Sequence, residues 1–348
     1  MKYVIFGDIH FGLKSNSDEY NKECLEFLEF VDNWTANHLT EPFETIFLGD
    51  WYNNRNSINV KTLNYGKEGL VILSNIGEKQ YVLLGNHDLY FLDRRDVHSI
   101  VVPDEAAGIE VITEPIMKDN ILLVPWLIGD ENLKDLIAEY NPDYVFGHFE
   151  IPSFKFNQQV VMEGEYNPFD YQGPKMIYSG HFHTMSEKDN IKYIGNCFSQ
   201  TFADVNDWHN KGFMVIDTET GEEQRVEFVI APKYYVSNIS EFNPPDDLNN
   251  AYVKLINDKR FDNETIYKLT DALKETGRFR EIQIIPLELD ISGEEESIEL
   301  KDIGNMNTII PTMLSKVEME GIDSNKLVNI YNNLEVEWEK LYFLYYLL

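Results

Sequence analysis

Residues 2–10 read KYVIFGDIH: a short apolar run of strand type, then glycine, then side chains that carry charge or bind metal. The same format recurs in TIFLGD (45–50), QYVLLGNHD (80–88), YVFGHF (144–149) and KMIYSGHFHT (175–184). Continuous apolar runs of this length suit buried strands. In α/β sheets, ligands collect beyond the carboxyl ends of the strands. A glycine there lets the backbone turn, so the next side chain projects over the sheet edge. The five ends are expected to converge on one place.

Between them lie helical patterns. Tyr20, Cys24, Phe27, Leu28, Val31 and Trp34 recur at spacings of three and four, which predicts a helix over 18–38. Further helices are expected near 57–76 and 131–139, and further strands in IEVI (109–112), NILLVPW (120–126), IKYIG (191–195) and GFMVIDT (212–218). The fold class is therefore α/β. Past residue 232 the pattern changes: AYVKLI (251–256), a helix near 263–276 and REIQIIPLELD (280–290) form a small unit of their own. The expected domains are 1–232, a small α+β cap at 233–290, an acidic linker at 291–302 and a helical region at 303–348. The closing run LYFLYYLL is apolar on nearly all sides, which suits a partner surface.

Composition narrows the function. The 348 residues carry 60 acidic against 29 basic side chains, a net charge of −31. Such a chain repels polyanions as a whole, so a nucleic-acid substrate requires a local cationic site or a basic partner, with salt-sensitive binding. No apolar run reaches membrane-span length, and the N-terminal apolar stretch is too short for a signal peptide. Cys24 and Cys197 stand far apart in no metal-type spacing, and read as buried free thiols in a reducing cytoplasm.

The polar residues at the strand ends are Asp8, His10, Asp50, Asn86, His87, Asp88, His148, His181 and His183. Any one alone is more often a surface or core residue than a ligand; all of them, in order after apolar strands, form a combined signal. Carboxylates and imidazoles without thiolate suit Mn²⁺, Fe or Zn²⁺. Two cations roughly 3.5–4 Å apart can orient a phosphate, acidify a bound water and offset the charge of the transition state. One carboxylate must bridge them, and Asp50 is the candidate. Neutral Asn86 would add a carbonyl ligand without adding charge. His181 and His183, two apart, would face the same side on extended backbone.

The series GDIH…GD…GNHD…GH…GHFH resembles the calcineurin-like metallophosphoesterases, with motifs spanning residues 7–184. The GHFHT form, the PW after a strand in LLVPW and the cap-plus-tail layout are similar to the SbcD-type nuclease subunit of DNA double-strand-break repair, including the small subunit of phage recombination endonucleases. The resemblance implies a β-sandwich flanked by helices. It also implies a Mn²⁺-dependent exo- and endonuclease acting on double- and single-stranded DNA, with a metal-bound hydroxide as nucleophile and Mg²⁺, Fe or Zn²⁺ as alternative metals. One metal would be held by Asp8, His10, Asp50 and His183, the second by Asp50, Asn86, His148 and His181. His87 would protonate the leaving oxygen, with Asp88 orienting its ring. The proteins it resembles form homodimers and bind an SbcC/Rad50-like, SMC-type ATPase through C-terminal helices.

One position departs from the pattern: Asn53 stands where similar nucleases often carry histidine, three residues after the bridging aspartate. Asn53 can still donate to phosphate. Arg55, Arg94 and Arg95 are candidate DNA-backbone contacts, against the alternative that the last two pair with Asp93 and Asp96. His38, His98 and His209 are assigned to no metal, and Trp51 and Tyr52 to packing. Two rival functions remain: a metallophosphoesterase for small phosphoesters, nucleotides or phosphoproteins, and an inactive scaffold that kept the fold.

Overall fold

A computed structural model describes residues 1–155, 162–205, 207–246, 248–286 and 326. The expected linker at 291–302 and nearly all of the helical region at 303–348 lie outside the described residues.

Two six-stranded sheets make up most of the fold. The first contains β1 (Lys2–Phe6), β2 (Phe43–Phe47), β3 (Gln80–Leu83), β4 (Glu110–Ile112), β11 (Gly212–Asp217) and β12 (Glu223–Glu227), ordered β12-β11-β1-β2-β3-β4. The second contains β5 (Ile116–Lys118), β6 (Ile121–Val124), β7 (Tyr144–His148), β8 (Met176–Gly180), β9 (Ser186–Lys188) and β10 (Ile191–Tyr193), ordered β5-β6-β7-β8-β10-β9. The strands that end in site residues run parallel to their neighbours: β1 with β2, β2 with β3, and β7 with β8. Within each sheet their carboxyl ends therefore come out on the same side.

Alternation along each strand builds the layers. Tyr3 and Ile5 of β1 join Ile46, Leu83, Leu123, Phe146 and Tyr178 in a core between the two sheets. Val4 and Phe6 face the other way, onto a cluster with Phe27, Leu28, Val31, Leu70 and Leu73. Those five residues come from α2 (Asp18–His38) and α3 (Val60–Leu73). The outer face of the second sheet packs Leu122, Val124, Val145 and Ile177 against Leu133 and Ile137 of α4 (Leu133–Tyr140). The result is a two-sheet sandwich flanked by helices, as the resemblance implies. Helix α2 starts where Ser17 accepts from the Tyr20 N–H, with Asp18 and Glu19 in its first turn. Full burial of one of its Phe, Leu or Val side chains contributes about 1.5–3 kcal/mol.

The turn before α2, labelled α1 (Leu13–Asn16), has left-handed backbone at Lys14 and Ser15. Past residue 232, three parallel strands, β13 (Lys233–Asn238), β14 (Ala251–Asn257) and β15 (Phe279–Pro286), join with α5 (Asn263–Glu275) around their own core of Leu248, Val253, Leu255 and Ile282. This cap belongs to one compact unit with the sandwich, Met1–Leu287. Lys14 carries its ammonium 4.0 Å over the Tyr252 ring, and Arg280 pairs with Glu23 of α2. Strands β5, β9, β12 and β13 were not foreseen. The first two are three residues long, and β12 is mostly polar, so none of these three shows an apolar run.

Candidate metal centre

Strand β1 delivers Asp8 and His10, β2 delivers Asp50, β3 delivers Asn86 and His87, β7 ends in His148, and β8 leads into His181 and His183. The structure brings all of them together. Ligand atoms of Asp8, His10 and His183 lie within 4.8 Å of one another, and so do those of Asp50, His148 and His181. Asp50 stands between the two groups: its Oδ2 is 3.6 Å from His10 Nε2 and 3.4 Å from His148 Nε2. Asn86 Oδ1 approaches His148 Nε2 and His181 Nδ1, at 3.1 Å each. His10 Nε2 and His183 Nε2 face one another at 3.2 Å.

Local backbone makes this convergence. Asp8, His10, Asp50 and His181 have φ of 57°, 53°, 62° and 84°, a left-handed conformation that non-glycine residues avoid and that clusters at functional sites. The strand-end glycines work in two ways. Gly49 has φ of 99° and makes a turn. Gly85 keeps ordinary backbone, but a Cβ there would lie 2.2 Å from Asp50 Oδ1, so close approach is what requires glycine.

The donors suit a cation. His148 Nδ1 is 2.7 Å from the Leu48 carbonyl, which can only accept, so Nδ1 carries the proton and Nε2 is the free nitrogen. In the neutral ring that lone pair faces the carboxylate of Asp50 and the amide oxygen of Asn86, a gathering of acceptors that positive charge resolves. Burial works against a charged His148, yet the Asp50 carboxylate lifts its pKa to about 9; a divalent ion competes with that proton for the same place. Burial holds His10 well below the ordinary histidine value, His181 at about 3 and His183 at about 4, so these rings are neutral, the form that binds metal. Burial pushes Asp8 up to about 7. Burial also opposes ionisation of Asp50, but the surrounding histidines, His148 first, hold it well below the usual carboxylate range. Carboxylate, imidazole and amide oxygen without sulfur fit Mn²⁺, Mg²⁺, Fe or Zn²⁺.

The expected partnership between Asp88 and His87 is not formed. Asp88 is buried and turned into the loop, accepting from the N–H groups of Gly85, Asp50, Trp51 and Tyr52. The His87 ring is oriented instead by the Asn53 carbonyl, 2.6 Å from Nδ1. This leaves Nε2 as the free nitrogen of His87, whose own N–H donates to Asp50 Oδ1 at 2.9 Å. Because a backbone carbonyl sets the ring, the histidine-to-asparagine departure at position 53 leaves that support intact.

The arginines divide. Arg55 joins Asn53, Asn54, Asn56, Asn86 and His87 around a cleft of 240 Å³ beside the centre. Arg94 pairs with Asp96 and lies 3.8 Å over the Phe91 ring, on the surface. Arg95 does not face solvent: its side chain is 1% exposed, bonded to the Trp126 carbonyl and paired with Glu114 and Glu131. It anchors the loop whose Trp126 ring stands 5.0 Å from His181. Trp51 and Tyr52 are buried packing residues, and Cys24 and Cys197 buried free thiols, as expected.

Residues 1–185 match the model of the calcineurin-like phosphoesterase family. The chain belongs to that family. Members use pairs of divalent metals, and the two ligand groups described here lie within the matched region. Exonuclease subunit 1 of Enterobacteria phage T4 is 28% identical over 240 residues, covering 66% of this chain and 67% of that protein. A solved protein of unknown function from Aquifex aeolicus matches 43% of this chain and 80% of its own at 17% identity and a TM-score of 0.24.

Proposed function

We propose that this metallophosphoesterase is the nuclease subunit of a DNA recombination and double-strand-break-repair complex, cleaving phosphodiester bonds with two divalent ions, Mn²⁺ first among them. The observation that carries the reading is the single Asp50 carboxylate set between two ligand groups. Asp8, His10, Asp50 and His183 would hold one ion; Asp50, Asn86, His148 and His181 would hold the other. When bound, such a pair orients the phosphate, supplies the nucleophile at neutral pH and offsets the developing charge.

The chain's own groups do the rest. His87, anchored through Nδ1–H to the Asn53 carbonyl, keeps Nε2 available to carry a proton to the leaving oxygen. Asn53 and Arg55 line the cleft where a substrate phosphate would lie. Trp126 shields one side of His148 and His181 from water. Arg94 is a candidate contact to the DNA backbone, whereas buried Arg95 supports the Trp126 loop.

Complex membership is supported by the similar phage protein, whose name describes one subunit. The partner of this chain would be an SbcC/Rad50-like ATPase engaging residues 303–348, and its basic surface would offset the −31 charge on the DNA path. Self-association is supported by exposed Tyr90, Leu92, Val97 and Val101 in one loop past the centre. Among the described residues no helix is long and apolar enough to cross a membrane. The cytoplasm is the proposed location, supported by the two free thiols.

The test is Mn²⁺-dependent digestion of end-labelled duplex and single-stranded DNA, with and without the ATPase, beside a small aryl phosphate. Cleavage of DNA is expected. Hydrolysis confined to the small phosphate would support the rival phosphoesterase, and failure to bind metal would support the inactive scaffold.

A further inference from the structure

Lys211 immediately precedes β11 and is a buried cation far in sequence from every motif: its side chain is 1% exposed. Its ammonium makes three contacts. It donates to the backbone carbonyl of His183 at 2.7 Å, to Asp204 Oδ1 at 3.0 Å, and pairs with Asp207 Oδ2 at 2.8 Å. Both carboxylates are buried as well, 4% and 2% exposed. A desolvated lysine held by two aspartates is a costly feature, and its stability contribution is small or negative against an apolar replacement. The remaining contact is the informative one, because it falls on the backbone of a metal-ligand candidate.

The network reaches a second ligand candidate. Asp204 Oδ2 accepts from the N–H of Gln200 at 2.9 Å and of Thr201 at 3.1 Å. The Gln200 side chain then donates to the carbonyl of Asp8 at 2.6 Å. From the cap, the Tyr234 hydroxyl donates to the Gln200 carbonyl at 2.7 Å. Asp8 and His183 belong to the same ligand group, and Lys211 ties the end of the first sheet to the loop after β8 of the second. The Asp50–His148–His181 group has braces of its own, Asp88 beneath Asp50 and the Leu48 carbonyl on His148, and one link to the first group, the His181 N–H donating to the Asp8 carboxylate at 3.0 Å.

Resting on the two-metal reading above, the geometry points to Lys211 as a positioning residue for one half of the centre, the Asp8–His10–His183 half, acting through the His183 carbonyl and through Asp204 and Gln200. Its ammonium is taken up by the His183 carbonyl and the two aspartates, so it is not itself a ligand candidate. Its work is to fix the spacing between His183 and Asp8, which come from strands of different sheets.

The test reads Mn²⁺ affinity of the full chain, stripped of metal and titrated by calorimetry, with melting as the folding control. Lys211→Met is placed in two backgrounds. In His181→Ala, which leaves the Asp8–His10–His183 half, it is expected to weaken Mn²⁺ by about 10–100-fold, the usual cost of losing a group that orients a ligand. In His183→Ala, which leaves the other half, it is expected to change affinity by less than about threefold, because Lys211 bonds to no residue of that half and Asp8 reaches it only through the His181 N–H. A purely structural lysine would lower both halves alike; equal losses, or no loss in His181→Ala, overturn the assignment. Should Lys211→Met fail to fold, Gln200→Leu, which leaves the ion cluster whole, carries the same expectation in both backgrounds. A wild-type chain that takes up no Mn²⁺ overturns the two-metal reading itself, and this shows before any variant is made.

Discussion

Replacing Gly85 by alanine removes no functional group, yet it is expected to dismantle the whole centre. A Cβ on residue 85 would lie 2.2 Å from Asp50 Oδ1 and 2.5 Å from the Asp50 nitrogen. Relief of the first contact alone requires the oxygen to retreat by about 0.8 Å, since non-bonded atoms closer than about 3 Å repel steeply. The neighbour is backbone and a short, buried carboxylate, so little can yield. Oδ1 also accepts from the His87 N–H, a bond worth about 1 kcal/mol that the movement breaks. Off-rotamer strain adds about 1 kcal/mol and the backbone shift about 1–3 kcal/mol. A total of about 3–5 kcal/mol, set against an unfolding entropy of about 2 cal/mol/K per residue for this unit, lowers Tm by about 5–8 °C. Because Oδ2 moves with Oδ1, and Oδ2 is the atom between His10 and His148, both ligand groups lose it together. Mn²⁺ affinity at both halves is expected to fall by about 100-fold. Calorimetric titration and thermal melting check this, with Gly108→Ala as control, where an added Cβ meets nothing within 4 Å. If Gly85→Ala binds two Mn²⁺ as tightly as the parent, the picture of Asp50 wedged against β3 and shared by two ions is wrong.

Other perturbations separate the remaining roles. His87→Gln is expected to leave Mn²⁺ binding unchanged while lowering kcat by about 10²–10⁴-fold on DNA, the range for losing a general acid; near-normal turnover would take His87 out of the reaction. Asn53→Ala should raise KM for DNA while leaving kcat for a small aryl phosphodiester within about threefold, because the group that holds His87 is the main-chain carbonyl. Arg94→Ala should lower the slope of log affinity against log salt by about 1, whereas Arg95→Ala should leave that slope alone and cost about 2 kcal/mol in denaturant unfolding; the reverse pattern would put Arg95 on the DNA. Saturating Mn²⁺ at about 100 times its Kd should add about 2.7 kcal/mol per site to stability, lost on chelation, and an unmoved melting curve would count against a built metal centre.

The linear order of residues sufficed for the repeated strand–glycine–ligand format, the α/β class and the set of residues that converge. Strand burial and the rule that ligands gather at carboxyl ends are local facts, written in runs such as KYVIFGDIH and KMIYSGHFHT. It also showed which types of metal ligand were present, since residue chemistry needs no coordinates. Pairwise geometry was left to the tertiary structure. Nothing in GNHD tells that Asp88 turns into the loop while a carbonyl from residue 53 takes the His87 ring, because both outcomes satisfy the same donors and acceptors. Nor does DRRD distinguish exposed Arg94 from Arg95, whose partners Glu114 and Glu131 are 19 and 36 residues away. Lys211, the far-removed support of His183, has no local signature at all. Contacts between the ends of two separate sheets depend on how the layers stack, and that is fixed by the packing of the core between them.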